Sequence, residues 1–399
     1  MRFTLLLFLA ASALQTAGCQ LFGDRPCEPG RYACPDAAPV SPDLRRASAC
    51  TLDNPCALPS PQPHPIESTG AGALANLTAI NGRGADAWFV GTSPAGQGVL
   101  LHASPGQLVR TEASLPVADP QAVTATATDP LHLLIASQGS ALHEYDPQTR
   151  QVTPRSLDTS GCQGRISANG ALHGVLALAS EDLWVVGTPT SDSAAGLFRV
   201  RSGACQVLPE PASAGLRFSG VWGAVPSPIE PAQRIVWAVG DSGAVVVWTF
   251  QGPDGQPLAQ SFRLGSGTAF RGISGSSRCP TAPTPGDETG TCVFMVTGDA
   301  LYRATDNVPM PIALPANINA SPVELTGVFV DGEFVWLCGA QSGTGFVARK
   351  RLRTGEWSYA GLSPLSGTPR AAWGAGDGSL WLAGDQGTIV YLPSSSGTL

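Results

Sequence analysis

The sequence predicts an all-β fold, a β-propeller of seven blades with four antiparallel strands each, preceded by a disulfide- and Pro-rich tether. Three observations predict it. Trp stands three residues before Gly at Trp88, Trp184, Trp237, Trp336 and Trp381. The units around these pairs recur every 45 to 55 residues, the size of a four-stranded blade. No segment carries a convincing helical period, whereas short apolar runs bounded by turn residues recur throughout.

Composition narrows the class before any motif is read. The chain has 399 residues, with 47 Gly and 35 Pro, 43% apolar and only 13% charged. That excludes a coiled coil, a disordered polyampholyte and a collagen. The net charge of −7 repels polyanions. Arg349, Lys350, Arg351 and Arg353 form the one basic cluster and read as an exposed strand face, so no nucleic-acid partner is expected. Ten Cys without a C-x-x-C pair point to an oxidising compartment rather than zinc.

Residues 1–18 read as a secretory signal: Arg2 precedes an apolar run from Phe3 to Leu14, too short to span a bilayer as a helix. Thr16-Ala17-Gly18-Cys19 resembles the lipobox of bacterial lipoproteins, with Thr16 where Leu is usual. The resemblance implies cleavage before Cys19 and its acylation, and Gln20, rather than Asp, implies export to the outer membrane. The alternative is a signal peptide cut near Ala17 with Cys19 in a disulfide. Residues 19–66 hold Cys27, Cys34, Cys50 and Cys56, which allow two bridges in three pairings, and end in the alternating stretch Pro59 to Pro65, a semi-rigid extended spacer.

The propeller is assigned to residues 67–399. Each unit opens with a short apolar strand: Leu77 to Ile80, Ala122 to Ala125, Leu172 to Leu176, Ser219 to Gly223, Phe270 to Ser274, Leu325 to Val330, and Ala371 to Gly374. Trp222 and Trp373 share a slot there. The Trp-x-x-Gly strand follows, then a turn such as Asp241-Ser242-Gly243 or Asp385-Gln386-Gly387, where Gly supplies positive φ. Two copies are degenerate: Met295 before Gly298, and Leu133 to Gly139. If the latter is mis-split, the count is six. A blade is apolar on both faces, so it is buried only between neighbours, with the repeated Trp filling the wedge. The last copy ends after its third strand, and residues about 62–69 are expected to supply the fourth and close the ring.

Val221-Trp222-Gly223, Trp237 to Gly243, and Trp373-Gly374 with Trp381 to Val390 resemble a family of bacterial exported propellers with a VWG…W-x-V-G-x-x-G-x-I pattern. The repeat is similar, more loosely, to Asp-box and photosystem-assembly-factor propellers, although no copy carries the full Asp-box signature. The resemblance implies a fold and a binding role, not a reaction.

No catalytic, metal-binding or cofactor-binding residue is assigned. Gly240-Asp241-Ser242-Gly243 has the look of a serine-protease nucleophile signature, yet Gly-Asp-Gln-Gly fills the same slot at 384–387, so it reads as a turn. His64, His102, His132, His143 and His173 are scattered. Cys279 and Cys292 bracket an insertion and Cys162 and Cys205 flank the third copy, two candidate disulfides. Cys338 reads as a buried free thiol. The function expected is a non-catalytic, lipid-anchored outer-membrane propeller that binds an envelope protein or glycan through its loop face, touching the membrane through the anchor alone. The alternatives are an outer-membrane assembly scaffold, or a glycan hydrolase or lyase with two carboxylates at the channel mouth.

Overall fold

Seven sheets of antiparallel strands follow one another along the chain, spanning 76–115, 120–155, 172–206, 218–263, 272–312, 323–361 and 369–392; they are blades 1 to 7 of a propeller. The computed structural model describes residues 56–58, 62–63, 75–126, 131–138, 142–155, 171–179, 182–189, 196–201, 204–206, 216–224, 234–250, 257–265, 268–280, 289–305, 307–319, 322–363 and 367–394. The signal sequence, Cys19, Cys27, Cys34, Cys50 and Cys162 lie outside them, and Cys56 is described by its backbone only. The first strands of neighbouring blades pack side by side around the channel.

Burial follows from strand alternation. In Leu380–Gly384, Trp381 and Ala383 face blade 1 while Leu380 and Leu382 face blade 6. Seven apolar clusters result, one at each junction between neighbouring blades. Trp88, Trp184, Trp237, Trp336 and Trp381 each sit in a different cluster, all at most 5% exposed. Leu134 and Phe294 fill the same position at the other two junctions. Trp222 and Trp373 pair across strands with Trp237 and Trp381. Their rings lie where a side chain at Gly275 or Gly82 of the following blade would have to be.

The Gly of Trp-x-x-Gly is needed for space. Gly240 and Gly384 have extended φ of −162° and −164°. A Cβ at Gly91, Gly187, Gly240, Gly339 or Gly384 would overlap the carbonyl oxygen of Asn76, Ala171, Arg217, Glu324 or Thr368, respectively. Positive φ is needed one turn later, at Ser242 and Gly243 (56° and 67°) and at Gln386 and Gly387 (56° and 70°). Two consecutive left-handed residues make the primed turn that matches strand twist.

Blade 5 corrects the sequence alignment by one residue. Its register pairs Ser274 with Phe294 and Gly272 with Val296, so Phe294 and Thr297 occupy the Trp and Gly positions expected for Met295 and Gly298. The basic cluster also differs from the exposed face expected. Arg349 lies over the rings of Phe334 and Trp336, at 4.4 and 5.1 Å, and the Lys350 ammonium is 5.4 Å from the Trp357 ring. Their charges rest on aromatic faces of blade 6.

The ring is closed by the last residues of the Pro-rich stretch. Gln62–Pro63 pairs antiparallel with Ile389–Leu392 and completes blade 7. Cys56–Ala57 adds a parallel fifth strand to blade 6, and the Leu58 amide donates to the Tyr359 carbonyl at 3.1 Å. The Leu58 side chain, 7% exposed, is packed among Trp336, Val347 and Leu362 of blade 6 and Leu380, Val390 and Leu392 of blade 7. One short segment therefore ties the last two blades together.

Candidate functional site: the channel mouth

Every first strand begins with the same local device. In six blades an extra residue bulges out of the ladder: Thr78, Gln121, His173, Ser219, Thr326 and Arg370. In blade 5 the corresponding residue is Arg271, whose amide bonds the Val296 carbonyl just before the strand. The residue before each bulge is buried: Leu77, Pro120, Leu172, Phe218, Phe270, Leu325 or Pro369. The residue after it is Ala79, Ala122, Gly174, Gly220, Gly272, Gly327 or Ala371. These small residues let neighbouring first strands approach closely, and the polar bulge residues are turned toward one end of the channel. There they line a mouth of about 610 Å³, together with Arg217, Asp241, Ala269 and Asp385.

The seven bulge residues divide by chemistry. Three are hydroxyls that bridge blades. Thr78 Oγ1 donates to the Pro120 carbonyl (2.6 Å), Ser219 Oγ to the Phe270 carbonyl (2.7 Å), and Thr326 Oγ1 to the Pro369 carbonyl (2.5 Å). Each is also within 3.1–3.3 Å of a carbonyl in its own blade: Val90, Val239 or Cys338. The other four, Gln121, His173, Arg271 and Arg370, are longer and face the mouth.

Two of the three arginines at the mouth are already neutralised. Arg370 grips both oxygens of Asp385, with distances of 2.7–3.1 Å, and Arg271 is paired with Glu324. His173 Nε2 is 3.1 Å from Thr188 Oγ1. Burial, helped by the nearby Arg217 charge, lowers its pKa to about 4, so the imidazole is neutral at ordinary pH. Arg217 and Asp241 have no ion-pair partner among the described residues, and no ion pair joins them to each other. With Asp385 committed to Arg370, Asp241 is the carboxylate outside an ion pair among the described residues that line the mouth.

Of the candidate residues weighed from the sequence, His173, Asp241 and Asp385 line the mouth, the first read there as a scattered histidine and the other two as turn residues. The Trp residues lie between blades, and Cys279 and Cys292 are bonded to each other in blade 5. Cys205 is disulfide-bonded. Cys338 is free and fully buried, its thiol pushed up to about 12 by burial. Gln121, His173, Arg217, Asp241, Arg271 and Arg370 were not identifiable as a group, because they are spread over five blades with no spacing that links them. The signal that marks most of them is positional: a polar residue between a buried one and Gly or Ala at every strand start.

The fold is similar to that of a solved structure, "YCF48 bound to D1 peptide", with a TM-score of 0.58 and 13% identity over 87% of this chain and all of that chain. No family model and no curated protein matches the chain. At that identity the likeness establishes the β-propeller fold alone.

Proposed function

We propose that this protein is a lipid-anchored envelope propeller that binds an extended segment of a partner protein at the channel mouth. The observation that carries the binding reading is the division of the bulge residues. Three hydroxyls hold the blades together, whereas Gln121, His173, Arg271 and Arg370 present hydrogen-bonding groups to the cavity. A peptide offers donors and acceptors at every residue, which suits a polar mouth whose arginines are largely neutralised. The similar propeller that holds a peptide adds support from fold analogy. The anchor rests on Thr16 to Cys19 and on the even set of Cys27, Cys34, Cys50 and Cys56 that follows.

The test is photo-crosslinking in the native envelope from a reactive side chain at Gln121, compared with one at Met310, which is 51% exposed on the outer strand of blade 5. A discrete protein adduct from Gln121 and none from Met310 supports the reading. Equal adducts from both, or none from Gln121, defeat it. Replacing Cys19 by Ser should release the chain from the membrane fraction; retention there would remove the anchor.

A further inference from the structure

We propose that blade 4 selects the peptide by a pair of neighbouring opposite charges, Arg217 receiving a carboxylate and Asp241 a cationic side chain. This rests on the reading that the mouth binds peptide, and it adds the ligand's chemistry.

The residue after the repeated Gly can meet the bulge residue of its own blade. In blade 7 that gives Asp385 with Arg370, and in blade 3 Thr188 with His173. In blade 4 the same position holds Asp241, but the bulge residue is Ser219, whose hydroxyl donates to the Phe270 carbonyl and lies near that of Val239. Two residues before the bulge, a side chain can meet the bulge residue of the preceding blade. Glu324 of blade 6 meets Arg271 of blade 5 in this way. Arg217 holds that position in blade 4, where the preceding bulge residue is the neutral His173. Two charges of opposite sign thus occupy positions that are ion-paired elsewhere in the ring. They lie beside each other on one blade, since the Asp241 amide donates to the Arg217 carbonyl at 3.0 Å, and both line the same cavity. The charges of Arg271 and Arg370 are met by carboxylates, so among the described residues lining the cavity Arg217 is the cation and Asp241 the anion left outside an ion pair. A purely acidic segment would gain from Arg217 and be repelled by Asp241. A segment with adjacent acidic and basic residues satisfies both.

The experiment uses the full chain, immobilised, and end-blocked synthetic peptide pools that differ only in a central Glu-Lys, Lys-Glu, Gln-Gln or Glu-Glu pair. One mixed-charge order should be retained about tenfold more than the neutral pool. Arg217→Ala and Asp241→Ala should each reduce it to the neutral level without lowering the melting temperature. Arg217→Glu combined with Asp241→Arg should reverse the preferred order. Equal retention of neutral and mixed pools overturns the charge reading and leaves peptide binding standing. Preference for the Glu-Glu pool overturns it too, because the arginines would then act together. No retention of any pool counts against peptide binding at the mouth itself.

Discussion

Leu58 tests whether the short clasp matters to the ring. Its backbone makes few bonds: two register positions on blade 6 and the Leu58 amide to Tyr359. Its side chain is buried and lies at the junction between blades 6 and 7. Leu58→Ala removes three carbons from that site, a change that costs about 2–5 kcal/mol where the surroundings cannot collapse. The unit Cys50–Leu399 has an unfolding entropy near 0.7 kcal/mol/K, from ~2 cal/mol/K per residue. A loss of about 3 kcal/mol should therefore lower Tm by about 4 °C. Calorimetry on Leu58→Ala reads this directly, with Leu258→Ala as control. Leu258 is 61% exposed on the outer strand of blade 4, and its truncation should shift Tm by less than ~1 °C. Hydrogen exchange should show Trp357–Gly361 and Ile389–Leu392 opening first in the Leu58 variant. A Leu58→Ala protein that melts within 1 °C of the parent, with unchanged exchange in those strands, would refute the idea that the segment clamps the ring.

Four further outcomes are expected. Gly240→Ala forces a Cβ into the Arg217 carbonyl and should destabilise by more than the ~1 kcal/mol that helix or strand propensity alone could explain; Thr297→Gly, in the equivalent blade 5 position, should give no comparable gain in chemical denaturation. Thr326→Val deletes the bridge to Pro369 and leaves that carbonyl short of its donor, so it should cost about 1–3 kcal/mol, whereas Gln121→Ala should leave stability unchanged. His173 is held neutral down to about pH 4 in the folded protein, while an unfolded His titrates near 6.5. Its contribution is present above that unfolded value and is lost as pH falls toward 4, so His173→Gln should flatten the fall in Tm over this window. Native protein should show no thiol reactivity from Cys338 until it unfolds, because the group is buried and its pKa lies far above neutral.

Much of the architecture was legible because it is written seven times. The Trp and Gly positions recur for local reasons that act within one blade: a wedge to fill, and a carbonyl that leaves no room for Cβ. Blade 5 shows the limit. Gly298-Asp299 imitates Gly240-Asp241 in sequence, yet the ladder places Thr297 at the Gly position. A local motif match can slip by one residue, and only pairing with Gly272–Pro280 fixes the register. Lys350 and Arg349 show another limit. Alternation predicted a solvated charged face, but the aromatic rings that shelter these cations belong to neighbouring strands.

The strand grammar, the repeat and an expected closure by residues about 62–69 could be read from the chain alone, because they follow from apolar periodicity and burial on two faces; the ladders fixed the count at seven blades and the closing strand at Gln62–Pro63. The mouth was decided by tertiary structure alone. Gln121, His173, Arg217, Asp241, Arg271 and Arg370 are spread over 250 residues of chain, and no spacing links them. They meet because radial packing brings seven strand starts to one axis: a bulge or its blade 5 equivalent turns Gln121, His173, Arg271 and Arg370 toward it, and Arg217 and Asp241 flank the first strand of blade 4. Which charges are left free depends in turn on the neighbouring blade: Arg370 finds Asp385, Arg271 finds Glu324, and Arg217 meets only a neutral imidazole.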